Sequence, residues 1–301
     1  MYVFEVASDL LKLPRPESLF LLEPYVPQNS IVVLYGKPTL GKTAIAWNIA
    51  HAIQSGEPLW GFPTQKANVL FLELDMPMLM VQERWADADP PFEPTFCTVF
   101  EDVTIDCTQF LAVRTDERHR EIIRIFADLH ARYNFGLVCV DALREVVIGD
   151  INISGIPRRI YDAFRTIFPG AAILFVHHER KTVAGLFGPP DPLQAASGSM
   201  EFMNIAQVAI QFQKRGKDTW LEHLKTQASA QFESLPLSLR DDGIHIYNRN
   251  EEKLAIALQI IERAPPGIAM RELDKQIGVA IGMSDRSARV IRLAIQQERK
   301  L

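Results

Sequence analysis

Gly36, Gly41, Lys42 and Thr43 satisfy the spacing G-x-x-x-x-G-K-[ST] within the segment GKPTLGKT, which runs through Lys37, Pro38, Thr39 and Leu40. Each residue type has a physical reason. Glycines let backbone N–H groups approach and wrap phosphate oxygens, the lysine reaches the β and γ oxygens, and the hydroxyl can sit on Mg²⁺. A helix beginning near Lys42 would aim its positive end at the same anion. A second acid for the metal stands at the end of the apolar run FGLVCVDAL, at Asp141. The run VLFLELDMP supplies Glu73 and Asp75, two residues apart and so on one side of a strand, as candidates to orient an attacking water. Asp75 precedes Met76-Pro77, so capping a helix is its alternative role. The run ILFVHHERK ends in His177 and His178, followed by Arg180 and Lys181. A histidine there can hydrogen-bond a terminal phosphate. A metal pair is the weaker reading, because adjacent residues on a strand point to opposite faces.

Positioning these residues requires strands that end at one edge. Short apolar runs rich in branched residues stand at Ile31–Tyr35, Val69–Leu74, Leu137–Val140 and Ala172–Val176, with helical patterns such as Thr43–Ser55 and Asp116–Tyr133 between them. Continuous apolar strands alternating with helices predict an α/β fold with a mostly parallel central sheet covered on both faces. Later strands are expected near Val208–Gln213, Thr219–Lys225 and His245–Tyr247, with a turn at Asp241-Asp242-Gly243. From Glu251 the chain reads as helical to its end. The expected units are an arm over 1–30, an ATP-binding core over 31–248 and a small helical domain over 249–301.

Bulk properties bound the function. The 301 residues carry a net charge of −5, which argues against a chain that coats nucleic acid over its whole surface but leaves room for a local basic groove. The three cysteines, Cys97, Cys107 and Cys139, are scattered and contain no CxxC pair. That argues against a disulfide scaffold and fits a reducing compartment, the cytoplasm. No apolar run reaches the ~20 residues needed to span a bilayer, and the start of the chain lacks a signal-peptide pattern.

Taken in order, the phosphate loop, NVLFLELDMP, LVCVDAL, ILFVHHERK and EHLKTQ resemble the RecA-like P-loop ATPases, and among them the hexameric replicative helicases of the RepA and DnaB type. The resemblance runs from about Leu21 to about Tyr247. It implies ATP and Mg²⁺ as ligands, with Lys42, Thr43 and Asp141 holding them. It places the catalytic carboxylate on Asp75, with Glu73 as a substitute, and the phosphate sensor on His178. It also places on Lys225 the lysine that reaches a neighbouring subunit's site. Asp75 is one methylene shorter than the family's glutamate. The family's arginine for the neighbouring site falls on Ala206, leaving Arg215, Lys217 or Lys225 to compensate.

The same resemblance points two loops, about Arg144–Arg159 and Glu179–Met200, at a central channel. Arg144, Arg158, Arg159, Arg180 and Lys181 are the cations that could follow single-stranded DNA there; ordinary solvated loops are the alternative. The tail reads as three helices, EEKLAIALQIIER, AMRELDKQIG and a last one from Ser284, a plausible N-cap. It resembles the helix-turn-helix core of a winged-helix domain. Arg286, Arg289 and Arg292 recur every three residues and could meet duplex DNA, although nine Lys/Arg stand against only seven Asp/Glu from Glu251 onward and a protein-contact module competes. The leading expectation is a homo-oligomeric, hexameric ATPase acting on DNA as a ring helicase or translocase. Its rival is a DNA-bound regulatory ATPase that uses ATP as an assembly switch. A small-molecule kinase ranks third, since no acceptor site is visible.

Overall fold

The structure, a computed structural model, describes residues 18–99, 117–147, 153, 155–179, 201–216, 218–227, 234–265 and 267–298. In chain order its elements are β1 (Phe20–Leu22), β2 (Val26–Pro27), β3 (Ile31–Gly36), α1 (Lys42–Ser55), β4 (Asn68–Glu73), α2 (Met78–Asp87), β5 (Cys97–Val99), α3 (Glu117–Tyr133), β6 (Phe135–Asp141), a 3-10 turn (Leu143–Val146), α4 (Ile156–Ile167), β7 (Ala172–His178), α5 (Glu201–Ile205), β8 (Val208–Arg215), β9 (Asp218–Thr226), β10 (Leu235–Leu239), β11 (Ile246–Asn248), α6 (Arg249–Arg263), α7 (Met270–Ile281) and α8 (Asp285–Glu298).

β3 to β11 form one sheet in the order β11-β10-β9-β8-β3-β7-β6-β4-β5. The strands from β8 to β5 in that order are mutually parallel, and β9, β10 and β11 attach antiparallel at one edge. The expected mostly parallel α/β sheet is therefore present. The runs Ile31–Tyr35, Leu137–Val140 and Ala172–Val176 are buried on both faces because helices cover both. One face carries α1 and the β1–β2 strap, with Val32, Leu34, Phe71, Leu137, Cys139 and Leu174 packed against Ile45, Trp47 and Ile49. The other face carries α3, α4 and α5, with Val33, Val138, Phe175 and Leu72 packed against Phe126, Tyr161, Phe164 and Phe202.

The observed strands extend further than the apolar runs alone suggest. β3 gains Gly36, β6 gains Asp141 and β7 gains His177 and His178. β5 and β10 were not anticipated: three residues at an edge and a Leu-Pro-Leu alternation carry too little pattern. α6 begins at Arg249, earlier than Glu251, because Asn248 caps it and accepts from the Asn250 N–H at 3.0 Å.

The last three helices bury Ala257, Leu273, Ile277, Ile281, Ala288 and Ile295 in a core of their own. Ser284 caps α8 as expected, accepting from the Ser287 N–H at 3.3 Å. No strand follows α6 among the described residues, so the module is three helices without a visible wing.

Candidate functional site

The period of two along each strand decides which residues meet. Val69 and Phe71 on β4, Leu137 and Cys139 on β6, and Leu174 and Val176 on β7 all face α1. Glu73, Asp75, Asp141 and His178 continue those alternations beyond the last apolar residue, so they emerge on the same face as the phosphate loop. Gly36 lies between them in register, paired with His178 on one side and Phe212 on the other. A Cβ on Gly36 would stand 2.2 Å from the Phe212 carbonyl oxygen, so β8 can pair there only with glycine. Gly41 has φ +96°, a left-handed conformation that lets the loop turn into α1.

The cleft at this edge holds about 390 Å³, within the usual range for small-molecule sites of about 300–1,000 Å³. Thr39, Gly41, Lys42, Thr43, Asp75, Asp141 and His178 line it. Lys42 is almost fully buried, and its Nζ donates to the Lys37 carbonyl at 2.9 Å across the loop. Burial lowers its pKa, while Asp141, Asp75 and Glu179 oppose that shift. Asp141 is 2% exposed, and one of its oxygens, Oδ2, has no hydrogen-bond partner. Burial pushes its carboxyl up, with the Thr43 hydroxyl opposing, the Asp75 charge adding and Lys42 opposing. An acid buried beside a donated threonine hydroxyl with an unfilled oxygen is what a hydrated Mg²⁺ beside that threonine would satisfy, so these residues fit the group the motif implies. His178 is half-buried, and its pKa is lowered first by burial and then by Lys42, against Asp75 and Glu145. It therefore faces the cleft as a neutral imidazole near pH 7.

Glu73 behaves differently from Asp75. It is 1% exposed, does not line the cleft, and pairs in register with Asp141 across β4 and β6. Burial pushes its carboxyl far up, and the Asp141 charge adds to that. The N–H groups of Asp75 and Met76 stand near enough to oppose the shift, but neither meets the carboxylate with hydrogen-bond geometry. Asp75 is exposed in the cleft. Of the two acids, only Asp75 lines the cleft.

Glu73 carries a pH signature. Below pH 4.5 the folded and unfolded chains both hold its proton. As pH rises from 4.5 towards about 9, the unfolded chain releases the proton and the folded chain keeps it, so stability falls across that window. Denaturant midpoints measured with EDTA and without nucleotide should fall with pH in the wild type and fall less in Glu73→Gln. Equal slopes in the two proteins would contradict this placement.

Three wall residues carry no sequence signal. Arg84 on α2 faces the cleft nine positions after Asp75, and Leu239 at the end of β10 and Gly243 in the β10–β11 turn also line it. Their approach is set by sheet order, with β10 two strands beyond β8.

The remaining candidates are scattered. His177 points to the opposite face, buried against Phe202 with ring centroids 5.6 Å apart, so it and His178 do not form a metal pair. Lys225 also lies away from its own cleft: its Nζ donates to the Met203 and Asn204 carbonyls at 3.1 and 2.6 Å, capping α5. Ala206 is fully buried and offers no side chain to a neighbour. Arg215 pairs with Glu222, and Lys217 lies outside the described residues. Arg144 is exposed after β6, with Nη1 donating to the Val147 carbonyl at 2.5 Å, and Arg158 and Arg159 are exposed in the first turn of α4. Arg144 closely follows the strand that ends in Asp141, whereas α4 packs on the face of the sheet opposite α1. Arg180 and Lys181 lie outside the described residues.

In the tail, Arg286 and Arg289 are exposed, but Arg292 is not available to a phosphate. Its Nε meets Asp274 Oδ1 at 2.6 Å and its Nη2 meets Oδ2 at 3.3 Å, both side chains buried between α7 and α8. The expected stripe of three is a stripe of two beside an internal ion pair. Arg292→Ala strands a buried carboxylate and should destabilise the helical module by about 3–5 kcal/mol. Thermal unfolding would register it, and Arg286→Ala should leave the midpoint unchanged.

Among the described residues no helix is long and apolar enough to cross a membrane. No curated protein sequence matches the chain significantly. Among solved structures, the chain is similar to a KaiC-like protein from the hyperthermophilic archaeon Pyrococcus horikoshii OT3, with a TM-score of 0.50, 13% identity, and coverage of 78% of this chain and 99% of that one. At that identity the likeness speaks for the fold. The AAA domain family model matches residues 3–184, which contain the phosphate loop, Asp75, Asp141 and His178. The chain belongs to the AAA domain family, and its core is a RecA-like P-loop ATPase domain.

Proposed function

We propose that the protein hydrolyses ATP with Mg²⁺ and acts on DNA as a homo-oligomer, in the manner of a ring helicase or translocase on single strands. The observation that supports this reading is the single cleft in which Lys42, Thr43, Asp75, Asp141 and His178 converge from four elements. Mg²⁺, when bound, would supply positive charge against the phosphates, and Thr43 and Asp141 are the residues that would hold it. Lys42 holds the β and γ oxygens, and its charge grows in value as the leaving oxygens gain charge. Asp75 accepts a hydrogen bond from the attacking water and aligns it. Neutral His178 donates one N–H to the terminal phosphate, and its loss after cleavage breaks that contact. The exposed arginines Arg144, after β6, and Arg158 and Arg159, in the first turn of α4, support a DNA path, and Arg286 and Arg289 support duplex contact by the tail.

The rival regulatory ATPase is favoured by a specific pair of observations. Ala206, on which the position of the family's arginine for the neighbouring site falls, is buried, and Lys225 is committed to α5. Steady-state ATPase with and without single-stranded DNA, followed by strand displacement on a tailed duplex, separates them. Stimulation with unwinding supports the motor. Stimulation without unwinding supports the switch, and no turnover at all rejects both.

A mixing experiment addresses the shared site. Lys225→Ala should bind nucleotide but hydrolyse it poorly if Lys225 serves a neighbour. Mixed with Asp75→Asn, also inactive, it should recover part of the activity at interfaces that pair an intact Asp75 with an intact Lys225. Mixed oligomers that form without recovery would leave Lys225 as a cap of α5 only.

A further inference from the structure

The wall of the cleft and the first helix of the C-terminal module are one unbroken stretch of chain. Leu239 lies against the phosphate loop, where a Cβ on Gly41 would meet its Cδ2 at 3.2 Å, and Leu239 and Gly243 both line the cleft. The turn that follows is stiff. Asp242 Oδ1 accepts from the N–H groups of Ile244 and His245 at 2.8 and 3.0 Å, and Oδ2 lies 2.6 Å from His245 Nδ1. Asn48, buried on α1, donates to the Ile244 carbonyl at 2.8 Å, which ties the turn to the helix that follows the phosphate loop. Trp60 Nε1 donates to the Ile246 carbonyl at 3.0 Å, and Asn248 donates back to the Trp60 carbonyl at 3.2 Å while capping α6. β11 ends at Asn248 and α6 begins at Arg249, with no linker residue between them. Glu251, in the first turn of α6, rests on Gly61, where a Cβ would stand 2.4 Å from its Oε1.

We propose that Leu239–Glu251 is a rigid lever through which occupancy of the nucleotide cleft sets the position and order of the three-helix module α6–α8. The physical requirement for such coupling is a difference in contact between ligand and lever in two arrangements. Leu239 and Gly243 line the cleft, so a nucleotide filling it would touch them and favour the arrangement in which the turn closes on it. The stiff turn and the Asn48, Trp60 and Asn248 hydrogen bonds leave the displacement no compliant segment before α6. By linkage, whatever the module binds alters nucleotide affinity by the same factor. The inference rests on the nucleotide reading of the cleft and extends it to regulation by, and of, the helical module.

Hydrogen exchange on the full chain, with and without the non-hydrolysable ATP analogue AMP-PNP and Mg²⁺, tests it. Peptides covering Lys42–Ser55 report binding, and peptides covering Arg249–Arg263 report the lever. Both should slow on binding, the second by about fivefold or more, the lower end of usual coupling factors. Asn48→Ala and Asn248→Asp, the latter keeping a capping oxygen but losing the donor to Trp60, should retain the slowing in α1 and lose it in α6. Slowing of α1 without slowing of α6 in the wild type would overturn the lever and leave the nucleotide reading intact. Persistent slowing of α6 in both variants would overturn this route. No slowing anywhere, in a protein folded by circular dichroism, would overturn the nucleotide reading and the lever with it.

Discussion

Lys42→Ala is expected to lose ATP binding by a factor of about 100 or more. The side chain is a buried cation in the wall of the cleft, with 4% of its surface exposed and Nζ donating to the Lys37 carbonyl. In the absence of phosphate that neutral acceptor holds it. With phosphate present it would exchange one carbonyl for charged oxygens, and charge-assisted hydrogen bonds contribute about 1.5–3 kcal/mol each. Two such bonds amount to about 3 kcal/mol or more, hence the hundredfold. Removing the lysine also takes from Asp141 and Asp75 a cation that opposes their charge in the cleft, so a polyanion would meet them less balanced. Titration with a fluorescent ATP analogue would measure the loss, with thermal unfolding as the control for folding. Affinity within a few-fold of the wild type, in a folded mutant, would reject the phosphate assignment.

Asp75→Asn should reduce turnover by about 10²–10⁴-fold while leaving nucleotide affinity within a few-fold, because a positioned acid–base group acts mainly in the transition state. The companion variant Glu73→Gln should retain most of the activity. Glu73 is buried beside Asp141 outside the cleft, and its raised pKa keeps it protonated near neutral pH, so the amide resembles the native group in charge and shape. Single-turnover hydrolysis of both variants, beside equilibrium binding, decides which acid orients the water. The reverse ranking, with Glu73→Gln inactive and Asp75→Asn active, would make Asp75 the cap of α2. The N-terminal flank of α2 carries no side-chain cap hydrogen bond, which already weighs against that role.

Local chemistry made the core of this protein legible from sequence. The phosphate loop depends on a contiguous run, GKPTLGKT, flanked by a strand and a helix, and every residue it needs lies within eight positions. The parallel sheet was legible for a similar reason: strands such as IVVLY and LVCV are apolar at every position, which only burial on both faces explains. Period-two alternation even put Glu73 and Asp75 on one side of their strand. What that alternation lacks is depth. Glu73 is inside the strand and pairs with Asp141, while Asp75 is beyond its end and open to the cleft, and only the register of β4 against β6 separates them.

Contacts between distant segments were decided by tertiary structure alone. Arg292 sits on an apparent arginine stripe at helical spacing, yet the fold of α7 against α8 brings Asp274, eighteen residues earlier, within hydrogen-bond reach and buries the pair. Periodicity defines a helical face but not what another helix sets against it. Lys225 and Ala206 follow the same rule. The alignment of β9 with β8 directs Lys225 to the carbonyls of α5, and the packing of α5 closes over Ala206. The β10–β11 turn reaches Gly41 across some two hundred residues of chain because the antiparallel edge strands fold back beside β8. Leu239 is an ordinary apolar residue in an ordinary strand. Its place in the wall of the cleft is a property of sheet order, which no local run of residues encodes.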